Sequence, residues 1–221
     1  MTHTLHRFGD EESLSEDFIV LVMPSKDINH VGSGPKLRRF FEMALECGAV
    51  KIGDCRLGNE YHQGSVEKVL ENVEDRAVIH AVFKDTDSLK QILTKLKEAD
   101  LGMSVVVSGI FETVEAILAE VGLEKHTVNQ SLGRWGRVDR LPSTEILSLN
   151  TMCGHGMVSE NLIRKVMADV QKGKCTPEEG AERLFQPCMC GIFNPHRAAR
   201  ILEKACGRCG CSDVPQSRNA D

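Results

Sequence analysis

The sequence predicts an α/β protein: a layered sheet domain, parallel or ferredoxin-like, followed by a C-terminal helical module that carries the cysteines. Two observations support this prediction. Short apolar runs alternate with amphipathic stretches as far as about residue 140, which is typical of a sheet covered by helices. From residue 141 onward the apolar residues recur only at helical spacing, and seven of the nine cysteines lie there.

Polar, aperiodic stretches at both ends set the expected domain boundaries. We expect a flexible arm over residues 1–16, the α/β domain over 17–140, the helical cysteine-rich module over 141–211 and a flexible tail over 212–221.

The elements of the first domain follow from hydrophobic periodicity and turn residues. A glycine turn, VGSGP, separates the first strand from the first helix, and the last helix ends at a glycine, a normal helix stop. The predicted strands are FIVLVM (18–23), AVIHAVF (77–83), MSVVVSGI (103–110) and a further one around HTVNQSLGRWG (126–136), and the predicted helices cover 36–47, 85–100 and 112–122.

Helix caps define the second part of the chain. Ser159 precedes the amphipathic stretch ENLIRKVMADVQKG. Thr176 begins a Thr-Pro-Glu-Glu sequence, which combines a capping box with proline at the first helical position. Asn194 is a further predicted helix cap, and Pro195 follows it directly before HRAARILEKAC. Three helices are therefore expected here, with cysteines in the turns between them.

Composition excludes several classes of protein. A formal net charge of −5 argues against nucleic-acid binding, which needs an excess of Lys and Arg. The sequence has no run of eighteen apolar residues, and its first residues lack the apolar core of a signal peptide, so we expect a cytoplasmic protein that does not enter a membrane. In that reducing compartment an odd number of cysteines indicates metal, cluster or thiol chemistry rather than a disulfide framework.

The cysteines of the helical module are the main candidate ligands. Cys153, Cys188 and Cys190 lie in turns beside helix ends, where backbone N–H groups favour the thiolate. Three such thiols suit an iron–sulfur cluster, with 4Fe-4S favoured, or a zinc site completed by His155 or another thiol. The CGRCGC tail adds Cys206, Cys209 and Cys211, which would complete the site, hold a second metal or deliver metal or electrons. Cys47 and Cys175 are expected to be structural.

Other polar and glycine residues complete the predicted site. Gly154 and Gly191 would let the backbone pass close to a bulky cofactor, and Asn194 and Arg197 would bind it. The loop GDCRLGNEYHQGS (53–65) gathers titratable residues between glycines and is expected to approach the cysteines. His80 is expected to be a core histidine. The predicted catalytic residues are His155, His62, Glu60 and Asp54.

The pentapeptide MCGHG (152–156) resembles the short nucleophile motif of proline racemases, in which a cysteine abstracts the α-proton of the substrate. The partner motif of that family, a second cysteine in a CGTGT-like turn, does not occur in the chain. The resemblance therefore does not carry the racemase function to this sequence.

Three functional hypotheses follow from these residues. The first is an iron–sulfur enzyme whose open cluster iron acts as a Lewis acid on a small molecule, in a lyase, hydratase or sulfur-transfer reaction. The second is a zinc-stabilised binding module without enzymatic activity. The third is a cysteine-nucleophile or thiol-redox enzyme. The expected partner is a small molecule, with neither nucleic acid nor membrane, and the sequence predicts no particular substrate or oligomeric state.

Overall fold

The computed structural model describes residues 3–207, which form one four-stranded sheet and ten α-helices. The strands are β1 (Phe18–Met23), β2 (Lys51–Asp54), β3 (Ile79–Phe83) and β4 (Ser104–Ser108). The helices are α1 (Glu11–Leu14), α2 (Gly34–Glu46), α3 (Glu60–Gln63), α4 (Val66–Glu71), α5 (Thr86–Ala99), α6 (Phe111–Val121), α7 (Thr144–Asn150), α8 (Glu160–Gln171), α9 (Pro177–Phe185) and α10 (Pro195–Gly207), with a short 3-10 helix at Val138–Arg140.

The sheet has the order β2-β3-β1-β4, and each neighbouring pair is antiparallel. A mixed α/β architecture is therefore confirmed, but the parallel alternative does not describe this sheet. The strand β3 lies between β1 and β2 and runs antiparallel to both. The strand β2, which is only four residues long, was not predicted from the sequence.

The sheet separates two hydrophobic cores. On one face Phe18, Val20 and Val22 of β1 pack in a core that α2, α5 and α6 complete. On the other face Ile19 of β1 and Val82 of β3 pack against α7 to α10. Because both faces are covered, β1 and β3 are buried along nearly their whole length, which explains their continuous apolar sequences.

The predicted helix caps are present. The Ser159 hydroxyl accepts a hydrogen bond from Leu162 N, and the capping box of Thr176 and Glu179 is complete. Arg197 N donates to Asn194 Oδ1 at 3.1 Å at the start of α10. These caps fix where the turns that carry the cysteines begin and end.

The strand expected around residues 126–136 is wrong, because this stretch is an exposed loop. Leu132 and Trp135 are largely exposed there, so the apolar residues that suggested a strand do not pair with the sheet. The loop contacts the N-terminal segment, where Arg134 stacks over the ring of Phe8 at 4.1 Å.

Residues 3–16, which the sequence predicts as a flexible arm, are held by specific contacts. Arg7 forms an ion pair with Asp17 at 2.7 Å, and Phe8 N donates to the hydroxyl of Thr151 at 2.9 Å. Ser108 donates to the Thr4 hydroxyl at 2.8 Å. The segment therefore packs against both the sheet and the helical module. The predicted tail (212–221) lies outside the described residues.

Within residues 3–207, none of the helices combines the length and the apolar character that crossing a membrane requires.

Candidate metal centre

Thiols and imidazoles from five parts of the chain meet where the helical module faces the sheet. Cys153 and His155 lie in the turn after α7, and Cys188 and Cys190 lie in the loop between α9 and α10. The loop after β2, the strand β3 and the N-terminal segment supply the remaining members, which are Cys55, His80 and His3.

Glycines hold the cysteine loop against the sheet. A Cβ atom at Gly53 would lie 2.7 Å from the carbonyl carbon of Cys190, and one at Gly191 would lie 2.6 Å from the carbonyl oxygen of Ile52. Gly191 also has a φ of 74°, which disfavours other residues. Gly191 was predicted to let the backbone pass close to a cofactor. In the structure Gly191 instead lets the cysteine loop pass close to the backbone of β2. The cysteine loop is thereby fixed on the sheet.

The turn after α7 is fixed against the N-terminal segment in the same way. A Cβ atom at Gly154 would overlap the carbonyl oxygen of His3. Glycine at this position therefore lets the segment pass directly over the turn. As a result, the side chain of His3 lies next to that of His155, with the two rings stacked at 4.6 Å between centroids.

Three donor atoms, one each from His3, His155 and Cys190, lie within 4.8 Å of one another. The distance from Cys190 Sγ to His155 Nδ1 is 3.4 Å. Zinc–sulfur and zinc–nitrogen bonds of ordinary length separate two tetrahedral ligands by about 3.5 Å, so this pair already has the spacing of two ligands on one ion. Cys190 is buried and His155 is exposed, so the group lies at the edge of the core.

His80 contacts this group from its buried side. It is a fully buried residue of β3, and its Nε2 lies 3.1 Å from Nε2 of His3. Its other ring nitrogen, Nδ1, lies 3.7 Å from Cys55 Sγ. A hydrogen bond between the two imidazoles occupies Nε2 of His3 and leaves its Nδ1 for a metal, which is how second-shell partners orient ligating histidines.

Burial keeps two of the imidazoles neutral. It lowers the pKa of His3 to about 4, with a further contribution from His155, and it lowers the pKa of His80 to about 3, with a further contribution from His3. Both rings are therefore uncharged at neutral pH, which is the form that binds a metal.

The thiols of Cys153, Cys188 and Cys190 are buried in one core, and neighbouring thiols affect the pKa values of Cys153 and Cys188. The hydrogen bond to Cys188, together with burial, raises the pKa of Cys153. At Cys188 the contact with Cys153 lowers the pKa, but the hydrogen bond to Cys190 and burial outweigh it and raise the value to about 12. The expectation that helix ends favour thiolates at these positions is wrong for Cys153 and Cys188. A metal would have to displace their protons.

The loop 53–65 reaches the cysteine loop through Asn59, which was not among the predicted catalytic residues. Asn59 is fully buried, and its Nδ2 donates to the carbonyl oxygen of Cys188 at 2.9 Å. His62 contacts Asn59 Oδ1 through Nδ1 at 3.0 Å. Glu60 forms an ion pair with Lys51 at 2.6 Å, and Asp54 is buried, with Oδ1 accepting from backbone N–H groups of its own turn.

The two residues predicted to bind a cofactor hold the N-terminal segment instead. Asn194 donates to the carbonyl oxygen of Glu16 at 2.8 Å, in addition to capping α10. Arg197 donates to the carbonyl oxygen of Phe8 at 2.6 Å and pairs with Asp17 at 2.9 Å. Their polar groups contact protein partners in and beside the N-terminal segment that carries His3.

The remaining cysteines are distributed along the chain. Cys206 is a half-buried residue of α10 whose Sγ lies 3.6 Å from the carbonyl oxygen of Met167. Cys209 and Cys211 lie outside the described residues. Cys47 belongs to the core on the opposite face of the sheet, as its expected structural role requires.

His3 and His80 were not predicted as members of the site, and Cys55 was predicted only as part of the loop 53–65. His80 gave a usable signal, because it is the one polar residue in the apolar strand AVIHAVF. Nothing near His3 in the sequence distinguishes it from a residue in a disordered arm.

Comparison of the chain with protein-family models, with curated proteins and with solved structures gives no match.

Proposed function

We propose that His3, His155 and Cys190 bind a single transition-metal ion, with zinc as the expected ion, and that a small molecule reacts at the remaining coordination position. The observation that carries this proposal is the mutual distance of the three donor atoms, all within 4.8 Å. On this proposal the protein is a cytoplasmic enzyme of the lyase, hydratase or hydrolase type.

The donor types support zinc. Imidazole and thiolate are ligands of borderline or soft metals, whereas magnesium and calcium require oxygen ligands. Three protein ligands are typical of catalytic zinc sites, which keep a fourth position for water or substrate, while structural sites have four protein ligands. The exposed position of His155 gives a small molecule a route to that fourth position. Zinc at such a site would acidify a bound water and polarise a substrate oxygen.

An iron–sulfur cluster on Cys153, Cys188 and Cys190 is the second candidate. The observation in its favour is that these three thiols are all buried in one core. Three thiolates would leave one iron of a cubane open to a substrate.

Metal and sulfide analysis of anaerobically purified protein separates the two candidates. We expect about one zinc ion per chain, no acid-labile sulfide and a colourless protein, because a site with two imidazole ligands and one thiolate ligand holds one ion. Cys190→Ser and His155→Ala should lose the metal, since a hydroxyl or a methyl group cannot replace these ligands.

Two further cysteine variants complete this experiment. Cys47→Ser, in the other core, is the matched control and should retain the metal. Cys188→Ser should retain zinc on our proposal and should lose iron and sulfide if the cluster is correct. Normal metal content in both Cys190→Ser and His155→Ala would refute the proposed centre.

We also infer that the sheet and its first helices form a ferredoxin-like unit. The supporting observation is the β-α-β-β-α-β order of the main elements, with α2 and α5 as the two connecting helices and an antiparallel sheet in the order β2-β3-β1-β4.

A further inference from the structure

Two buried arginine side chains, those of Arg7 and Arg197, pair with the carboxylate of Asp17. Arg7 Nη1 lies 2.7 Å from Asp17 Oδ2, and Arg197 Nη1 lies 2.9 Å from the same oxygen. The side chains of Arg7, Arg197 and Asp17 are 6%, 1% and 0% exposed. The third polar group on Asp17 is the neutral amide of Asn194, at 3.1 Å.

This cluster carries an excess positive charge. Two guanidinium groups face one buried carboxylate, and the acid that also interacts with Arg197, Asp10, is exposed and caps α1. Burying a charge without a counter-ion is costly, so buried charges in proteins are normally paired. The excess of positive charge among the described residues therefore favours the binding of an anion.

Arg7 has a donor that is available for such an anion. Its Nη1 binds Asp17 and its Nη2 donates to the carbonyl oxygen of Ile192, but its Nε is buried and has no partner among the described residues. Buried N–H groups are rarely left without an acceptor.

The contacts of Arg7 connect it to the two chain segments that carry His3 and Cys190. Ile192, which Arg7 contacts, follows Cys190 by two residues, and His3 precedes Arg7 by four residues in the same packed segment. An anion at Arg7 Nε would therefore lie in the part of the molecule that also carries His3 and Cys190.

We propose that the substrate is a small carboxylate, whose anionic group accepts a hydrogen bond from Arg7 Nε beside the metal held by His3, His155 and Cys190. This inference rests on the proposed function. A guanidinium edge matches the planar geometry of a carboxylate better than an ammonium group does.

Arg7→Lys tests this inference, because lysine keeps the positive charge opposite Asp17 and removes the Nε–H donor. The probe is sodium acetate, titrated at constant ionic strength into cobalt-substituted protein while the visible absorption of the metal is recorded. We expect a saturable spectral change in the wild type and a 10- to 100-fold weaker response in Arg7→Lys, which is about the effect of losing one charge-assisted hydrogen bond. Arg200→Lys, whose side chain pairs with Glu16 on the surface, is the matched control and should respond like the wild type.

A second readout separates this inference from the proposed metal centre. In metal-free protein, acetate should still raise the melting temperature of the wild type and of Arg200→Lys, but not that of Arg7→Lys. If the protein binds neither cobalt nor zinc but acetate still raises the melting temperature in an Arg7-dependent way, the proposed metal centre is refuted and the anion site is supported. An equal acetate response in wild type and Arg7→Lys, no response in the wild type, or a response to phosphate but not to acetate would overturn the carboxylate proposal.

Discussion

At the scale of single residues, the centre depends on histidines that burial holds in the neutral form. His80 is fully buried between Cys55 and His3, and its pKa is lowered to about 3. In the unfolded chain a histidine titrates at an ordinary pKa of about 6.5. Between these two values the unfolded protein therefore binds a proton at His80 that the folded protein does not.

This difference predicts that the metal-free protein loses stability as the pH falls. The unfolded state binds more protons between the two pKa values, so the free energy of unfolding decreases from about pH 6.5 downward, by at most about 1.4 kcal/mol per pH unit for each such histidine. Replacing His80 with glutamine should make this decline shallower. Urea denaturation with a chelator present, at about pH 7.5 and about pH 5, measures it. If the free energy of unfolding of His80→Gln depends on pH as that of the wild type does, His80 is not a buried histidine with a lowered pKa.

Which residues belong to the candidate centre was only partly predictable from the sequence. Cys153, Cys188, Cys190 and His155 were identified because they lie in turns with glycines, and the structure brings all four together. His3 was missed because the contacts that hold its segment come from residues distant in sequence, among them Thr151 and the buried Arg197.

At the scale of elements, close backbone contacts determine where the candidate ligands lie. Gly53 and Gly191 let the cysteine loop touch β2, and Gly154 lets the N-terminal segment cross the turn after α7. The caps of α8, α9 and α10 were predictable because capping is local. The short strand β2 was not, because four residues carry little periodicity, and the loop around residues 126–136 has apolar residues with no partner strand.

Gly154→Ala should weaken metal binding without unfolding the protein. The added methyl group would overlap the carbonyl oxygen of His3, so the segment would have to move and carry its imidazole away from His155. We expect a 10- to 100-fold loss of zinc affinity, about the effect of losing the support of a ligand. Competition with a chromophoric chelator measures this loss.

A second glycine variant is the control for the Gly154 experiment. Gly207→Ala, where an added Cβ meets no described atom, should keep the affinity of the wild type. Wild-type zinc affinity in Gly154→Ala, with an intact circular dichroism spectrum, would show that His3 is not a ligand.

At the scale of the whole molecule, the centre lies where three parts of the chain meet. The helical module packs on one face of the sheet, the N-terminal segment crosses both, and His3, His155 and Cys190 come from the segment and the module. The alternation of strands and helices predicted the division of the chain into a sheet domain and a helical module. It did not predict the strand order, because that order depends on contacts between residues far apart in sequence.

The coordination of the metal tests the central claim most directly. X-ray absorption spectroscopy at the zinc edge of the loaded protein should show one sulfur ligand at about 2.3 Å and two imidazole nitrogens at about 2.0–2.1 Å, with a light atom in the fourth position. A first shell of three or four sulfurs, or iron with iron and sulfide neighbours, would contradict a centre built from His3, His155 and Cys190.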